Sequence, residues 1–276
     1  MRRTALPAPG VSVKIAAIEH RSEFMQARNV GDYLGIELGA DASAGIDLDD
    51  YMVFDNDSER ATEFFQGLVF RHARAIAESQ GYGDTVPKDK KELFRQAFTD
   101  KRAMEEFVRA SEGVPRDAIN ILALAAQYAL DRAISVSDVR KAAHNWYQRD
   151  KQKAVSANRD ASKLLQYIVG EVIGNRRARA FLLPADQESA IIIALHGARV
   201  IHILKRSISS PSGPGERYRV YKLDYGCYVD LVSTDRAPIG LLPFDDGGGE
   251  KFVDVPPDDY RSIRRAILSL KHFAPK

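Results

Sequence analysis

The feature that most limits what this chain can fold into is a stop followed at once by a helix start. Gly113 and Pro115 punctuate the chain within Gly113-Val-Pro-Arg116, and Ile119, Leu122 and Ala126 follow at helical spacing. Proline suits the first helical turn, where its missing N–H leaves no bond unmade, so the spacing predicts a helix from Pro115 to about Arg132. Arg116 and Asp117 then fall in that first turn, with Arg116 pointing away from the apolar face. An arginine held there either meets solvent alone or reaches an anion presented by a neighbouring domain.

The same periodicity predicts further helices on both sides. Ser58 is read as the cap of a helix over Glu59–Ala77, with Phe64, Phe65, Leu68, Val69 and Ile76 facing inward. Helices over Lys90–Phe98 and Lys101–Ser111 turn Leu93, Phe94, Phe98, Met104, Phe107 and Val108 to the core. The next runs from Ile134 to Trp146, capped by Ser135 or Ser137, and a polar, basic linker covers Gln152–Asp160. Upstream, Val11–Ile18 reads as a buried strand and Tyr33–Gly39 as a second strand-like segment. Gly45–Tyr51 is an acidic turn that lacks the ligand order of a calcium loop.

In the second half, Ala161–Ile173 is predicted as a helix and Arg177–Leu183 as a short strand. A helix follows from Pro184 through Leu195, with a short third helix at Ala198–His202. Ile203–Ile208 and Arg217–Tyr225 form a hairpin around a Gly/Pro/Ser-rich tip at 209–215. Helix, strand, helices and hairpin is the order of a winged helix. Lys205, Arg206, Arg217, Arg219 and Lys222 lie on the two hairpin strands, while Arg176 and Arg177 fall within a basic stretch from Arg140 to Arg179. Cations so placed can neutralise DNA phosphates or enter a groove, or form only a solvated face. Tyr218, Tyr221 and Tyr225 are expected to pack. The short third helix offers few polar side chains, which favours weak or shape-based DNA contact over base reading. Cys227 reads as a strand filler. A loose Gly-, Pro- and Asp-rich segment precedes a basic amphipathic helix starting at Asp259 or Ser262, with Ile263, Leu268 and Leu270 inward.

Gly113-Val-Pro-Arg116 resembles the sensor-2 motif of the AAA+ ATPases, in the form found in the origin-recognition, or initiator, branch and its prokaryotic relatives. Gly39-Ala-Asp41 with Ile46-Asp-Leu-Asp49, Arg199-Val-Ile-His202 and Leu223-Asp-Tyr-Gly-Cys-Tyr-Val-Asp-Leu231 are similar to segments of that family. The resemblance implies an α+β, mainly helical fold in four parts. These are a remnant of the AAA+ core over 1–57, a helical lid over 58–133, a winged helix over 134–235, and a loose linker with the basic helix over 236–276. It implies that Arg116 senses nucleotide phosphates and that His20, at the end of the first strand, stands at the sensor-1 position. The initiator branch usually shows Asn there, and His20 equally suits a local hydrogen bond at a strand exit. DNA contacts then fall to Lys205, Arg206, Arg217, Arg219, Arg176 and Arg177. The implied partners are double-stranded DNA and an AAA+ core or another protein subunit.

What the sequence lacks narrows the function. It contains no Gly-x-x-x-x-Gly-Lys-Ser/Thr and no apolar run ending in Asp-Glu, so neither the phosphate cradle nor the magnesium pair of an ATPase is present. The chain is therefore expected not to hydrolyse ATP alone; ATP or ADP with Mg enters only where it is joined to a P-loop core. It reads as the carboxyl-terminal part of a larger ATPase or as a degenerate relative. The alternative function is a protein-interaction or signalling adaptor of a large regulatory ATPase. Gly-x-Ser-x-Gly, His-x-x-x-His and paired-carboxylate constellations are absent, which disfavours a stand-alone metabolic enzyme. A net charge of +2 over 276 residues implies no global electrostatic partner. One cysteine excludes an internal disulfide and a Cys-based zinc site, and no metal ligand set stands out. With no membrane-length apolar run and no signal-peptide pattern, a soluble, cytoplasmic protein is expected.

Overall fold

A computed structural model describes residues 12–18, 22, 24–29, 32–36, 45–176, 178–209, 215–232 and 266–270. The chain divides into two compact units, 1–48 and 49–276. In the first, β1 (Met25–Asn29) pairs antiparallel with β2 (Asp32–Gly35), Met25 opposite Gly35. The expected strand at Val11–Ile18 is not formed over 12–18, where Ile15 and Ile18 stay 48% and 55% exposed. β-branched residues favour a strand only when a partner edge and a covering face are supplied. Of the second strand-like segment, the part up to Gly35 pairs, and 37–39 lie outside the described residues. His20 lies outside them too.

The second unit is α+β and mainly helical. It comprises α1 (Asp49–Met52), α2 (Ser58–Ser79), α3 (Lys90–Ala97), α4 (Lys101–Ala110), α5 (Pro115–Ala129) and α6 (Val136–Trp146). After these come α7 (Lys153–Ser156), α8 (Arg159–Val169), β3 (Ala180–Pro184), α9 (Ala190–Gly197), β4 (Ile201–Ser209), β5 (Arg217–Leu223) and α10 (Tyr225–Val232). The three strands make an antiparallel sheet in the order β3-β5-β4. Phe65, Phe107 and Ile121 from the helices and Phe181, Leu182 and Tyr221 from the sheet belong to one continuous core. Among the described residues no helix is long and apolar enough to cross a membrane.

Local chemistry explains most boundaries. Gly113 adopts φ +77°, and a Cβ there would lie 3.0 Å from Val53 Cγ2, so the turn before α5 needs glycine. Pro115 opens α5 as expected, but the helix buries Ala118, Ile121, Ala125 and Ala129, one position round from the face read off the sequence. α2 is capped by Asp57, whose carboxylate accepts from Arg60 N, rather than by Ser58, and Ile76 on its far end is exposed. Ser135 caps α6 through a capping box with Asp138.

Four expectations are corrected. The basic linker at 152–160 is helical: a π-helical turn over Tyr147–Gln152 carries α6 into α7, and Asn158 then caps α8. Tyr147, Lys151 and Val155, spaced four apart, are its buried face. Pro184 ends β3 instead of opening a helix, and Ser189 caps the shorter α9. Ala198–His202 is no third helix: Arg199 takes φ +61° and the chain enters β4 directly. The end of the expected terminal helix, 266–270, is not α-helical: Ile267 makes an isolated parallel bridge with Leu182. Leu268 N donates to Leu182 O at 2.9 Å, beside β3, and Leu268 and Leu270 are buried. The cationic residues proposed for that helix lie outside the described residues.

Tyr225–Val229 also departs from expectation, forming a helix that places Cys227 in the core. Asp224 accepts from Gly226 N at 3.0 Å and so starts α10. A Cβ on Gly226 would meet Ala143 O at 2.5 Å and Tyr147 Cβ at 2.6 Å, so α10 approaches α6 as closely as backbone permits. Gly226→Ala is accordingly expected to cost about 2–3 kcal/mol, read as a lowered urea midpoint at unchanged slope. Unaltered stability would show that the two helices separate freely.

Candidate functional site

The first turn of α5 splits its two charged residues. Arg116 is 60% exposed and lies over the Trp146 ring at 5.8 Å, whereas the Asp117 side chain is fully buried. Arg116 Nη2 donates to Asp150 Oδ1 at 3.1 Å. The other oxygen of Asp150 accepts from Arg199 Nη2, whose Nε is 3.4 Å from Asp117 Oδ2. Two guanidiniums from distant segments thus share one partly exposed carboxylate at the start of a fifteen-residue helix.

Beneath this surface the charges continue inward. Lys151, 2% exposed, places Nζ 2.9 Å from Asp117 Oδ2 and 2.5 Å from Asp224 Oδ2. Trp146 Nε1 donates to Asp117 Oδ1 at 3.0 Å, and His202 Nε2 donates to Asp224 at 3.1 Å, an ionised carboxylate being acceptor only. Burial pushes the Lys151 pKa down, but Asp224 and Asp117 outweigh it and hold it above the ordinary lysine range. Burial likewise raises Asp224, and Lys151 and His202 reverse the sign, leaving it well below the carboxylate range.

A second buried group adjoins the first. Lys222, expected on the wing surface, is 1% exposed and pairs with Glu112 at 2.5 Å and with Asp55. Arg179 also pairs with Glu112. Glu112 takes φ +54° in the turn before α5, so the turn geometry itself carries the carboxylate inward. Glu112, His202 and Asp224 bring one ligand atom each within 4.8 Å of one another, the spacing of a metal site. Lys222, Arg179 and Lys151 already neutralise those carboxylates, so the donor set fits an ionic joint between helices and sheet better than a divalent cation.

The hairpin separates its expected cations. Lys205 and Arg206 sit where the β4–β5 register shifts twice, between Ile203 and Ile208, a bulge that turns side chains outward. Arg206 and Arg217 are exposed and Lys205 is half-buried; Arg217 donates to Ser207 Oγ at 3.0 Å. Arg219 is held by Glu188, which also accepts from the Tyr221 hydroxyl at 2.8 Å. Arg176 donates to Ile267 O at 2.7 Å and faces Glu171, which commits it to the docked 266–270 segment. Arg177 lies outside the described residues. Tyr218, Tyr221 and Tyr225 are buried as expected.

The structure therefore draws Arg116 together with Asp150 and Arg199, neither of which the sequence singled out as a site residue. It leaves Lys205, Arg206 and Arg217 as a separate cationic edge. Only the position of Lys151 on the stripe of Tyr147 and Val155 hinted at the buried ions. No family model, curated protein or solved structure matches this chain, so the functional reading stands on these residues alone.

Proposed function

We propose that the chain serves as the regulatory, DNA-contacting lid and winged-helix module of an initiator-type AAA+ ATPase, completing a nucleotide site in a larger protein or assembly and not hydrolysing ATP itself. The observation that carries this reading is Arg116. It opens a long helix of a helical layer, stays largely in solvent while its neighbour Asp117 is buried, and so remains able to reach a phosphate presented from outside. The sheet order β3-β5-β4 and the bulged hairpin bearing Lys205, Arg206 and Arg217 support a wing that contacts DNA backbone.

A second reading is favoured by the direct passage from α9 into β4. Among the described residues the expected short third helix is missing between them, which favours a hairpin that contacts protein in an adaptor role. The two readings separate on charge reversal at Lys205, Arg206 and Arg217, which leaves the Arg219–Glu188 pair intact. The triple Glu variant is expected to weaken binding to a short duplex at least about tenfold at low salt and to flatten its salt dependence. Unchanged duplex affinity would move the hairpin to the protein-contact reading.

A further inference from the structure

We infer that Asp150 is a built-in competitor for phosphate at Arg116, and that Arg199 carries the loss of that contact to the hairpin; this rests on reading Arg116 as a nucleotide-sensing cation. Asp150 presents one oxygen to Arg116 and the other to Arg199. Guanidiniums bind carboxylates and phosphates through the same forked donors, so the carboxylate occupies the place that a polyphosphate oxygen would take. Its side chain is one-quarter exposed and stands on the π-helical turn, open to replacement from solvent. Asp117, which also faces Arg199, cannot follow: it is fully buried and held by Lys151 and Trp146.

The second arm of the clamp gives the displacement a consequence. Arg199 sits at φ +61°, two residues before β4, in the tight connection that replaces a third helix. An anion that takes Arg116 from Asp150 either recruits Arg199 as well or leaves Asp150 to Arg199 alone. Both outcomes change the forces on the residue that launches β4, the strand bearing Lys205 and Arg206. An internal ligand also lowers apparent affinity, because the incoming anion must displace it first.

The test titrates the full chain with inorganic tripolyphosphate at fixed ionic strength, for the native protein, Asp150→Asn, Arg116→Ala and the double variant. Asp150→Ser serves if Asn lowers the melting temperature. Asp150→Asn is expected to bind about five- to tenfold more tightly than native. The double variant is expected to lose that gain, and saturation to alter hydrogen exchange at Ile201–Ile203. Equal affinities for native and Asp150→Asn, with Arg116→Ala still weakening both, would overturn the competition while leaving Arg116 as a phosphate contact. No effect of Arg116→Ala in either background would remove the nucleotide-sensing reading, and this inference with it. A gain for short duplex DNA but not for tripolyphosphate would overturn the inference in favour of a nucleic-acid backbone site.

Discussion

Lys151→Met is expected to destabilise the second unit by about 3–5 kcal/mol, the cost of leaving buried carboxylates without their cation. Both partners are affected, since Asp117 and Asp224 face the same ammonium and each is at most 1% exposed. Neither can reach water for compensation. His202 and Trp146 supply only single hydrogen bonds, and Arg199 touches Asp117 from the side. Methionine fills the space, so the loss measures charge rather than a cavity. Urea unfolding should show it as a lower midpoint, with Arg116→Ala, an exposed change, as the control near zero. A loss below about 1 kcal/mol would mean that the buried charges are not acting as a joint.

Lys222→Met should cost about 3 kcal/mol, toward the low end of the same range, because Arg179 still pairs with Glu112 while Asp55 loses its nearest cation. This site also has an acid signature. Burial pushes the Asp55 carboxyl up, but Lys222 first and Arg179 next outweigh it and lower it to about 2 from its ordinary value of 3.8. A depressed folded-state pKa contributes stability that is full above the unfolded value and is lost as pH falls through the folded one. The contribution is about 2 kcal/mol, present at pH 5 and gone below pH 2. In Lys222→Met the fall in stability between those values should be shallower than in the native chain. An identical acid limb in both would show that Asp55 owes its low pKa to another group.

The helical half was legible because its signals are local. Pro115 after Gly113, Ser135 with Asp138, and the apolar spacing of α4 and α8 each act within a few residues, and the helices form where those signals lie. β4 and β5 were equally legible from alternation around a Gly/Pro tip. Several of the failures turn on partners that are remote in sequence. In the polar 152–160 segment, Val155 shares a buried face with Tyr147 and Lys151, and Lys151 is neutralised by Asp117 and Asp224, both remote in sequence. Tyr225–Val229 became helical because Asp224 caps it and Gly226 lets it settle on α6. Lys222 looked like a wing cation since alternation puts it on the strand, yet its face is covered by Asp55 and Glu112. Of the clamp at the α5 start, only Arg116 was expected to be a site residue; Arg199 lay in a segment quoted for its similarity alone and Asp150 in none, so the fold joins them to it.

The most direct check on the proposed role is the salt dependence of duplex binding by the unaltered chain. If Lys205, Arg206 and Arg217 meet the DNA backbone, the logarithm of the association constant should fall against the logarithm of salt concentration with a slope of about −3, near one released counterion per cation. A slope indistinguishable from zero, or no measurable binding at low salt, would contradict a DNA-contacting hairpin and with it the proposed winged-helix role.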